Sequence, residues 1–159
     1  MCGIVGYIGV EKKGVEVVLG GLQALEYRGY DSAGIAYLAD GAITVTKQTG
    51  RVQSLADSLG TPRPESSTAI GHTRWATHGT PTIANAHPHF NADKSILVVH
   101  NGIIENYAEL KESLKKQGYT FLTETDTEVI PHLLDYYAKE VDSFEEAFRR
   151  TLDQLRGAY

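Results

Sequence analysis

The chain has 159 residues, 42% hydrophobic and 22% charged, which fits one compact soluble domain with room for a real core. Its net charge of −5 provides no basic surface for a phosphate backbone, and no apolar stretch approaches the roughly 20 residues that span a bilayer, so nucleic acid and membranes are excluded as expected partners. A single cysteine allows no internal disulfide, which agrees with a reducing, cytoplasmic location.

Five short apolar runs, rich in β-branched residues and bounded by Gly, Asp or Pro, are predicted to be strands. They are residues 3–8, 33–39, 42–46, 69–75 and 95–100. After the first run, apolar residues recur at intervals of three and four from Val15 to Leu25, which predicts a helix that ends near Arg28-Gly29. The chain is therefore expected to be mixed α and β.

Capping signals predict further helices in the second half. Asn106 with Glu109 is the pattern of a capping box that opens a helix, and Gly118 is placed to end it. Ser143 with Glu146 repeats the capping signal for a last helix. Both helices are thus expected to begin at a side chain that binds their own first turn.

Another helix is predicted over about residues 127–139, with Pro131 in its first turns, where a missing N–H is least damaging. Residues 60–67 and 79–93 are predicted to be polar loops, and long loops often serve functional sites. Residues 156–159 follow the last helix as if a strand were starting. The chain is therefore expected to be a fragment of a longer domain.

The position of the one cysteine is the first chemical signal. Cys2 directly follows Met1, and a small residue in second position allows methionine-removing enzymes to act. Removal of Met1 would give Cys2 its own general base, because a free α-amine, with an ordinary pKa of about 7.7–8.0, takes a thiol proton near neutral pH. The alternative, from position alone, is a small buried core residue, and other segments must decide.

Six segments, in order and across nearly the whole chain, resemble the glutaminase domains of the glucosamine-6-phosphate synthase family. Other class II amidotransferases, such as amidophosphoribosyltransferase and asparagine synthetase, resemble the opening Cys-Gly-Ile but differ in the later motifs. The chain is therefore identified as a member of the hexosamine-forming family. The segments are MCGIVGYIG at 1–9, LEYRGYDSAG at 25–34, HTRWATHG at 72–79, NAHPH at 85–89, VHNGIIEN at 99–106 and TETDTEVI at 123–130.

The resemblance implies an α+β fold of the N-terminal-nucleophile hydrolase type, a four-layer αββα sandwich with two antiparallel sheets. Residues 1–159 are expected to form one glutaminase domain. The resemblance also implies that the C-terminal part of this domain, and the sugar-isomerase half of the family, lie outside the sequence.

The implied activity is hydrolysis of L-glutamine to glutamate and ammonia through a γ-glutamyl thioester on Cys2. In the full-length enzyme the ammonia would serve the conversion of fructose 6-phosphate to glucosamine 6-phosphate at the sugar-isomerase domain, and a homodimer is an expectation for that enzyme only. No metal or organic cofactor is required. The alternatives are a non-catalytic glutamine-binding fragment, which retention of Met1 would favour, and the glutaminase domain of another class II amidotransferase.

Asn101 and Gly102 are candidates for the oxyanion hole. Attack on an amide places negative charge on the carbonyl oxygen, and an Asn side-chain NH₂ with a backbone N–H beside a flexible Gly can converge on that oxygen. The resemblance assigns them this role. The alternative is a hairpin turn, because Asn-Gly is the commonest two-residue turn signal between strands.

Arg74 and Asp126 are candidates for recognition of a free amino acid. An arginine binds a carboxylate through two parallel hydrogen bonds, and an aspartate pairs with an ammonium group; the resemblance gives Arg74 the first role and Asp126 the second. The alternative for Asp126 is the N-cap of the helix that follows it. The alternative for Arg74 is a surface salt bridge.

The resemblance adds four further site residues. Thr77 and His78 are expected to add polar contacts to the substrate, and Arg28 corresponds to a family arginine near the nucleophile. Trp75 corresponds to a residue that helps to gate the exit of ammonia toward the synthase half.

The remaining patterns do not indicate a cofactor. His87 and His89 stand two residues apart, but no second group of Cys or acidic residues follows at ligand spacing, so metal binding is not expected. Gly20-Gly21 and Gly71-His72 fit no phosphate-loop or dinucleotide pattern, so no nucleotide is expected either.

Overall fold

A computed structural model describes residues 2–76 and 79–159. The chain forms two compact units, which we call the N-terminal unit (Met1–Pro88) and the C-terminal unit (His89–Tyr159). Among the sequence-based candidates, Thr77 and His78 lie outside the described residues, as does Met1.

The N-terminal unit is built on a four-stranded antiparallel sheet in the order β1-β4-β2-β3. Two helices accompany the sheet. The predicted strands are confirmed with small shifts of their ends, because alternating or continuous apolar runs between turn residues were clear in the sequence. The elements are β1 (Gly3–Ile8), α1 (Gly14–Leu25), β2 (Ser32–Ala39), β3 (Ala42–Thr49), α2 (Val52–Leu59) and β4 (Thr68–Arg74).

Helix α1 supplies the centre of this unit's core. Val15, Val18 and Leu22 are fully buried, because residues three and four apart share one helix face and that face lies on the sheet. Ile35 of β2 and Leu55 of α2 complete the same cluster. A 3₁₀ turn follows α1 and ends before Gly29, as the sequence predicted.

Helix α2 was not predicted, although its sequence carried the signal. Val52, Leu55 and Ala56 are spaced for one helix face, and all three are buried. Gly60, with φ of +71°, follows the last turn. The first N–H of α2, on Val52, donates to the carboxylate of Glu26 at 2.7 Å, a contact that no local pattern could predict.

The C-terminal unit contains a two-stranded antiparallel sheet and three helices, with a core of seven buried apolar residues. The strand predicted over 95–100 is reduced to two residues, and its partner falls in the predicted loop 79–93; two-residue strands have no sequence period to detect. The elements are β5 (His89–Phe90), β6 (Leu97–Val98), α3 (Tyr107–Lys116), α4 (Val129–Ala138) and α5 (Phe144–Gln154).

The helix caps divide into correct and wrong predictions. Ser143 accepts from the N–H of Glu146 at 3.3 Å and caps α5, and Gly118, with φ of +90°, follows the end of α3. The capping box at Asn106 is wrong. Its side chain makes no capping bond and instead binds the carbonyl of Gln154 at 2.8 Å and the N–H of Arg156 at 2.9 Å.

The last residues form no strand but bond to residues 103–105. Ile103 N donates to Ala158 O at 3.0 Å, and Glu105 N donates to Arg156 O at 2.8 Å. The strand-like start predicted at residues 156–159 therefore lies beside residues 103–105. With two antiparallel sheets and five helices among the described residues, the expected α+β class is confirmed.

Among residues 2–76 and 79–159, no helix has both the length and the apolar character needed to cross a membrane.

Candidate active site

Cys2 lies at the start of β1, where the pairing with β4 places it beside Trp75. Gly3 pairs with Thr73, and Gly3 N donates to Thr73 Oγ1 at 3.1 Å. One residue further, Trp75 N donates to Cys2 Sγ at 3.1 Å, and the thiol lies 3.6 Å from Trp75 O. The sulfur is half-buried and held by backbone polar groups, which is not the environment of an inert core residue.

Asp31 holds the backbone that binds the sulfur. Its carboxylate accepts from the N–H of Ala76, and Ser32 Oγ donates to it at 2.8 Å. Its own N–H donates to Arg74 O at 3.2 Å. The chain on both sides of Trp75 is thus tied to the start of β2. Sequence reasoning missed Asp31; the only available signal was an acid between a Gly-Tyr pair and a buried strand.

Gly29 allows the close approach of this backbone. A Cβ at Gly29 would lie 2.8 Å from the carbonyl carbon of Arg74 and 3.0 Å from Trp75 N, so no side chain fits. Arg28 precedes Gly29 in the 3₁₀ turn and is half-buried. The YRGYD stretch and the RWA stretch therefore pack together beside Cys2.

Arg74 is buried, with 4% of its surface exposed. Its guanidinium donates to Gly79 O at 3.2 Å and to Thr80 O at 3.4 Å. The surface salt bridge that the sequence left open is therefore wrong, because the side chain points inward and is oriented by loop carbonyls. A fixed guanidinium is suited to bidentate recognition of a carboxylate.

Trp75 presents a half-exposed side chain next to Cys2. Its ring is 50% exposed and meets Tyr30 edge to face, with centroids 5.4 Å apart. Since Trp75 N binds Cys2 Sγ, movement of this residue and the environment of the sulfur are coupled.

Asn101 and Gly102 lie in the C-terminal unit on an exposed bend after β6. Gly102 has φ of +127°, and a Cβ there would lie 2.3 Å from Ala158 O. The hairpin alternative is wrong, because β6 pairs with β5 and the residues after Gly102 bond to the end of the chain instead. The bend thus has a backbone that only glycine tolerates.

Asp126 is buried, with 5% of its surface exposed, and its Oδ2 accepts from Ile104 N at 2.7 Å. It does not cap α4, whose N-cap residue is Glu128, so the N-cap alternative is wrong. The carboxylate instead ties the start of α4 to the segment that follows Asn101-Gly102.

Glu128, which sequence reasoning also missed, is a buried anion beside Asp126. Burial alone would raise its pKa, but the nearby imidazole of His132 and hydrogen bonds from the N–H groups of Leu122 and Thr123 and from the Thr123 hydroxyl outweigh this and lower the pKa to about 2. The carboxylate is therefore ionised at any physiological pH. An acid just before an apolar run, four residues ahead of a histidine, was the available sequence signal.

His100 precedes the bend and is neutral at physiological pH. Burial lowers the pKa of its imidazole, and the charge of Asp126 opposes that shift only in part. Its Nδ1 lies 3.0 Å from Thr127 Oγ1.

The histidine pair considered as a metal signal is engaged in other contacts. His87 stacks on His72 with ring centroids 4.0 Å apart, while His89 Nε2 lies 3.2 Å from Thr125 Oγ1. In the part of the chain that the structure describes, no group of three His, Cys, Asp or Glu residues is placed to hold a metal ion.

Each unit thus gathers its own share of the candidates. In the N-terminal unit, Trp75 binds Cys2 and follows Arg74, and the turn that carries Arg28 and Gly29 packs against the backbone of Arg74 and Trp75. In the C-terminal unit, Asp126 is bonded to the segment that carries Asn101 and Gly102. The profile of the family described as "Glutamine amidotransferase domain" matches residues 56–149, more than half of the chain.

The chain belongs to the glutamine amidotransferase domain family. Relatives named glutamine–fructose-6-phosphate aminotransferase (isomerizing) are similar over the whole chain: 52% identical in Thermococcus kodakarensis, 53% in Leifsonia xyli subsp. xyli and 52% in Aquifex aeolicus. The resemblance inferred from the six segments is confirmed. The chain spans 26% of the length of each of these relatives.

Solved amidotransferase structures share the fold. A structure titled "allosteric regulatory enzyme of purine biosynthesis" is 29% identical with a TM-score of 0.84. The glutamine phosphoribosylpyrophosphate amidotransferase from B. subtilis, complexed with ADP and GMP, is 29% identical with a TM-score of 0.82. Each likeness covers 100% of this chain and 34% of the other chain. The N-terminal-nucleophile amidotransferase fold expected from the sequence is thereby confirmed.

Proposed function

We propose that this glutamine amidotransferase domain hydrolyses L-glutamine to glutamate and ammonia, with Cys2 as the nucleophile after removal of Met1. The observation that carries the proposal is the 3.1 Å hydrogen bond from Trp75 N to the Sγ of the half-buried Cys2, just before β1. An N–H aimed at the sulfur stabilises negative charge there, and the free α-amine of Cys2 supplies the base.

The reaction proceeds in two steps, formation and then hydrolysis of a thioester. The α-amine takes the thiol proton, and the thiolate attacks the side-chain carbonyl carbon of glutamine. The carbon–nitrogen bond then breaks, the α-ammonium returns a proton to the nitrogen, and ammonia leaves a γ-glutamyl thioester on Cys2. Next, the amine takes a proton from water, hydroxide displaces the thiolate, and the proton returns to sulfur as glutamate leaves.

Asn101 and Gly102 are assigned to the oxyanion that forms in each step. The side-chain NH₂ of Asn101 and the N–H of Gly102 are the donors, and each such donor commonly lowers a barrier by about 3 kcal/mol. The positive φ of Gly102 supports the assignment, because it exposes backbone where a side chain would interfere.

Arg74 and Asp126 are assigned to the α-carboxylate and α-ammonium of glutamine, respectively. Both side chains are buried and held by backbone groups, so little ordering remains to be done when the substrate binds. Arg28, Thr77 and His78 are proposed as additional polar contacts.

Sequence similarity to longer relatives extends the proposal. In a protein of their length, ammonia would pass from this domain to a sugar-isomerase domain that uses fructose 6-phosphate, with Trp75 as a gate, and the whole enzyme would be a homodimer. A cytoplasmic location is part of the proposal, because a reducing compartment keeps the thiol of Cys2 available.

The test combines labelling with turnover. The purified chain is treated with a diazo-ketone analogue of glutamine and measured by intact mass, and glutamate release is assayed in parallel. We expect loss of Met1, one adduct, and no adduct in Cys2→Ala. A chain that binds glutamine but forms neither adduct nor glutamate would instead be a non-catalytic glutamine-binding module.

A further inference from the structure

Glu128 is the most enclosed acid of the C-terminal unit for which no role has been assigned. It is 3% exposed. Its Oε1 accepts from Leu122 N at 2.7 Å, and its Oε2 accepts from both Thr123 N and Thr123 Oγ1 at 2.7 Å. His132 Nε2 lies 3.7 Å from Oε1 on the next turn of α4. One carboxylate thus binds two successive backbone N–H groups of the preceding loop.

These bonds continue along the loop to Asp126. Thr123 Oγ1 also contacts Thr125 Oγ1 at 3.0 Å and accepts from Thr125 N at 3.3 Å. Thr125 Oγ1 in turn contacts His89 Nε2 at 3.2 Å. The residue immediately before Asp126 is therefore fixed on both sides, and the start of this arrangement is Glu128.

Asp126 connects this hydrogen-bonded loop to the segment after the bend at Asn101-Gly102. Its Oδ2 accepts from Ile104 N at 2.7 Å, two residues after Gly102. Its Oδ1 lies 3.4 Å from the hydroxyl of Thr127, a long contact that leaves this oxygen weakly engaged. One oxygen of the Asp126 carboxylate is therefore bound firmly to the backbone, and the other is held only weakly.

We propose that Glu128 is a positioning residue for glutamine recognition: by holding Leu122 and Thr123 it places Asp126 where one oxygen fixes Ile104 and the other meets the substrate's α-ammonium group. This inference rests on the proposed function. It assigns discrimination in favour of an α-amino acid to a side chain that never touches the substrate.

The chemistry predicts a selective defect when Glu128 becomes Gln. The glutamine amide has only one acceptor oxygen. Its NH₂ group repels the N–H groups that donate to the second carboxylate oxygen in Glu128. The N–H groups of Leu122 and Thr123 are then no longer both held, and Asp126 shifts from its position. A ligand without an α-amine makes no use of Asp126 and is affected much less.

The experiment measures binding by calorimetry in a Cys2→Ala background, so that no turnover occurs. The ligands are L-glutamine and glutaramate, which is glutamine without its α-amine. We expect glutamine to bind at least about 10-fold more tightly, and Glu128→Gln to reduce that preference about fivefold or more, with glutaramate changed less than about twofold. Glu109→Gln, an exposed acid on α3, is the matched control and should change neither.

A double-mutant cycle separates positioning from general loosening. Asp126→Asn should abolish the preference for glutamine, and adding Glu128→Gln should then have almost no further effect on it. Equal weakening of both ligands by Glu128→Gln, or no change in either, would overturn the proposal. Failure of the Cys2→Ala chain to bind glutamine at all would overturn the proposed function itself.

Thr123→Val provides a milder variant if Glu128→Gln does not fold. It keeps the shape of the side chain but removes the hydroxyl that joins Glu128 to Thr125. A partial loss of the preference, about two- to threefold, is expected. An unchanged preference in a folded Thr123→Val protein would count against the proposal.

Discussion

Two carboxylates, Asp31 in the N-terminal unit and Glu128 in the C-terminal unit, each hold the backbone near candidate residues of their own unit. Each accepts backbone N–H groups from a neighbouring loop, Asp31 from Ala76 and Glu128 from Leu122 and Thr123. A carboxylate that is withdrawn from water needs several hydrogen-bond donors on its oxygens. Removal of one such acid should therefore affect both folding and recognition.

Glu128 should make folding stability depend on pH below neutrality. The ordinary pKa of 4.5 falls to about 2 in the folded chain, so the unfolded chain binds the proton more readily. The stabilisation, about 3 kcal/mol, is complete above pH 4.5 and is lost as the pH falls toward 2. Urea unfolding at pH 7, 5, 4 and 3 should show the difference between wild type and Glu128→Gln shrinking toward acid pH. A difference that is constant with pH would contradict this.

Arg74→Lys should weaken glutamine binding by about 10- to 100-fold while the fold remains intact. Lysine keeps the positive charge but loses the planar fork, and a hydrogen bond to a charged group is worth about 1.5–3 kcal/mol. The measurement is the glutamine Kd in the Cys2→Ala background. Arg51→Lys, an exposed arginine, is the control. Equal affinity in Arg74→Lys would remove Arg74 from the substrate site.

At the scale of the element, two adjacent glycines of α1 meet opposite surroundings. A Cβ at Gly20 would have nothing within 4 Å, whereas a Cβ at Gly21 would lie 2.8 Å from Val5 on β1. The first glycine therefore only raises the entropy of the unfolded chain, and the second permits the helix to approach the sheet. Packing against β1 thus accounts for the second glycine of the Gly20-Gly21 dipeptide.

Alanine at Gly20 and alanine at Gly21 are predicted to change the free energy of unfolding in opposite directions. Gly20→Ala should stabilise the chain by about 0.5–1 kcal/mol, because alanine is the better helix former and the site is open. Gly21→Ala should destabilise it by about 1–3 kcal/mol, because Val5 must shift. Both variants are compared by chemical denaturation. Equal effects of the two would mean that α1 does not lie this close to β1.

At the scale of the whole molecule, each unit has its own apolar cluster. The cluster of the N-terminal unit includes Val18, Leu22 and Ile35, and that of the C-terminal unit includes Ile104 and Leu133. Each set joins helix residues to residues distant in sequence. Loss of volume in either set should therefore be costly.

Leu22→Ala and Leu133→Ala should each destabilise the chain by about 2–5 kcal/mol, since buried leucines leave a cavity. Leu122→Ala, with a side chain 70% exposed, is the control and should change stability by less than about 0.5 kcal/mol. The free energy of unfolding from urea titration is the measurement. A small effect at Leu22 or Leu133 would mean that its unit lacks this core.

The amino-acid sequence by itself determined the elements with a clear period and the family. The strands of the N-terminal unit and helix α1 follow from local patterns, because side-chain alternation and helical spacing operate within a few residues. The family followed from the six segments that resemble its members and that occur in order along the chain. These properties depend on neighbours along the chain.

Only the tertiary structure decided which polar groups meet. Asn106 binds residues 48 and 50 positions away instead of capping its own helix, and Asp126 binds Ile104, 22 positions away, instead of capping α4. Each polar side chain has several possible partners of similar strength, and packing of the core selects among them. The contacts of Asp31 and Glu128 arise in the same way, from backbone N–H groups that folding brings within reach of each carboxylate.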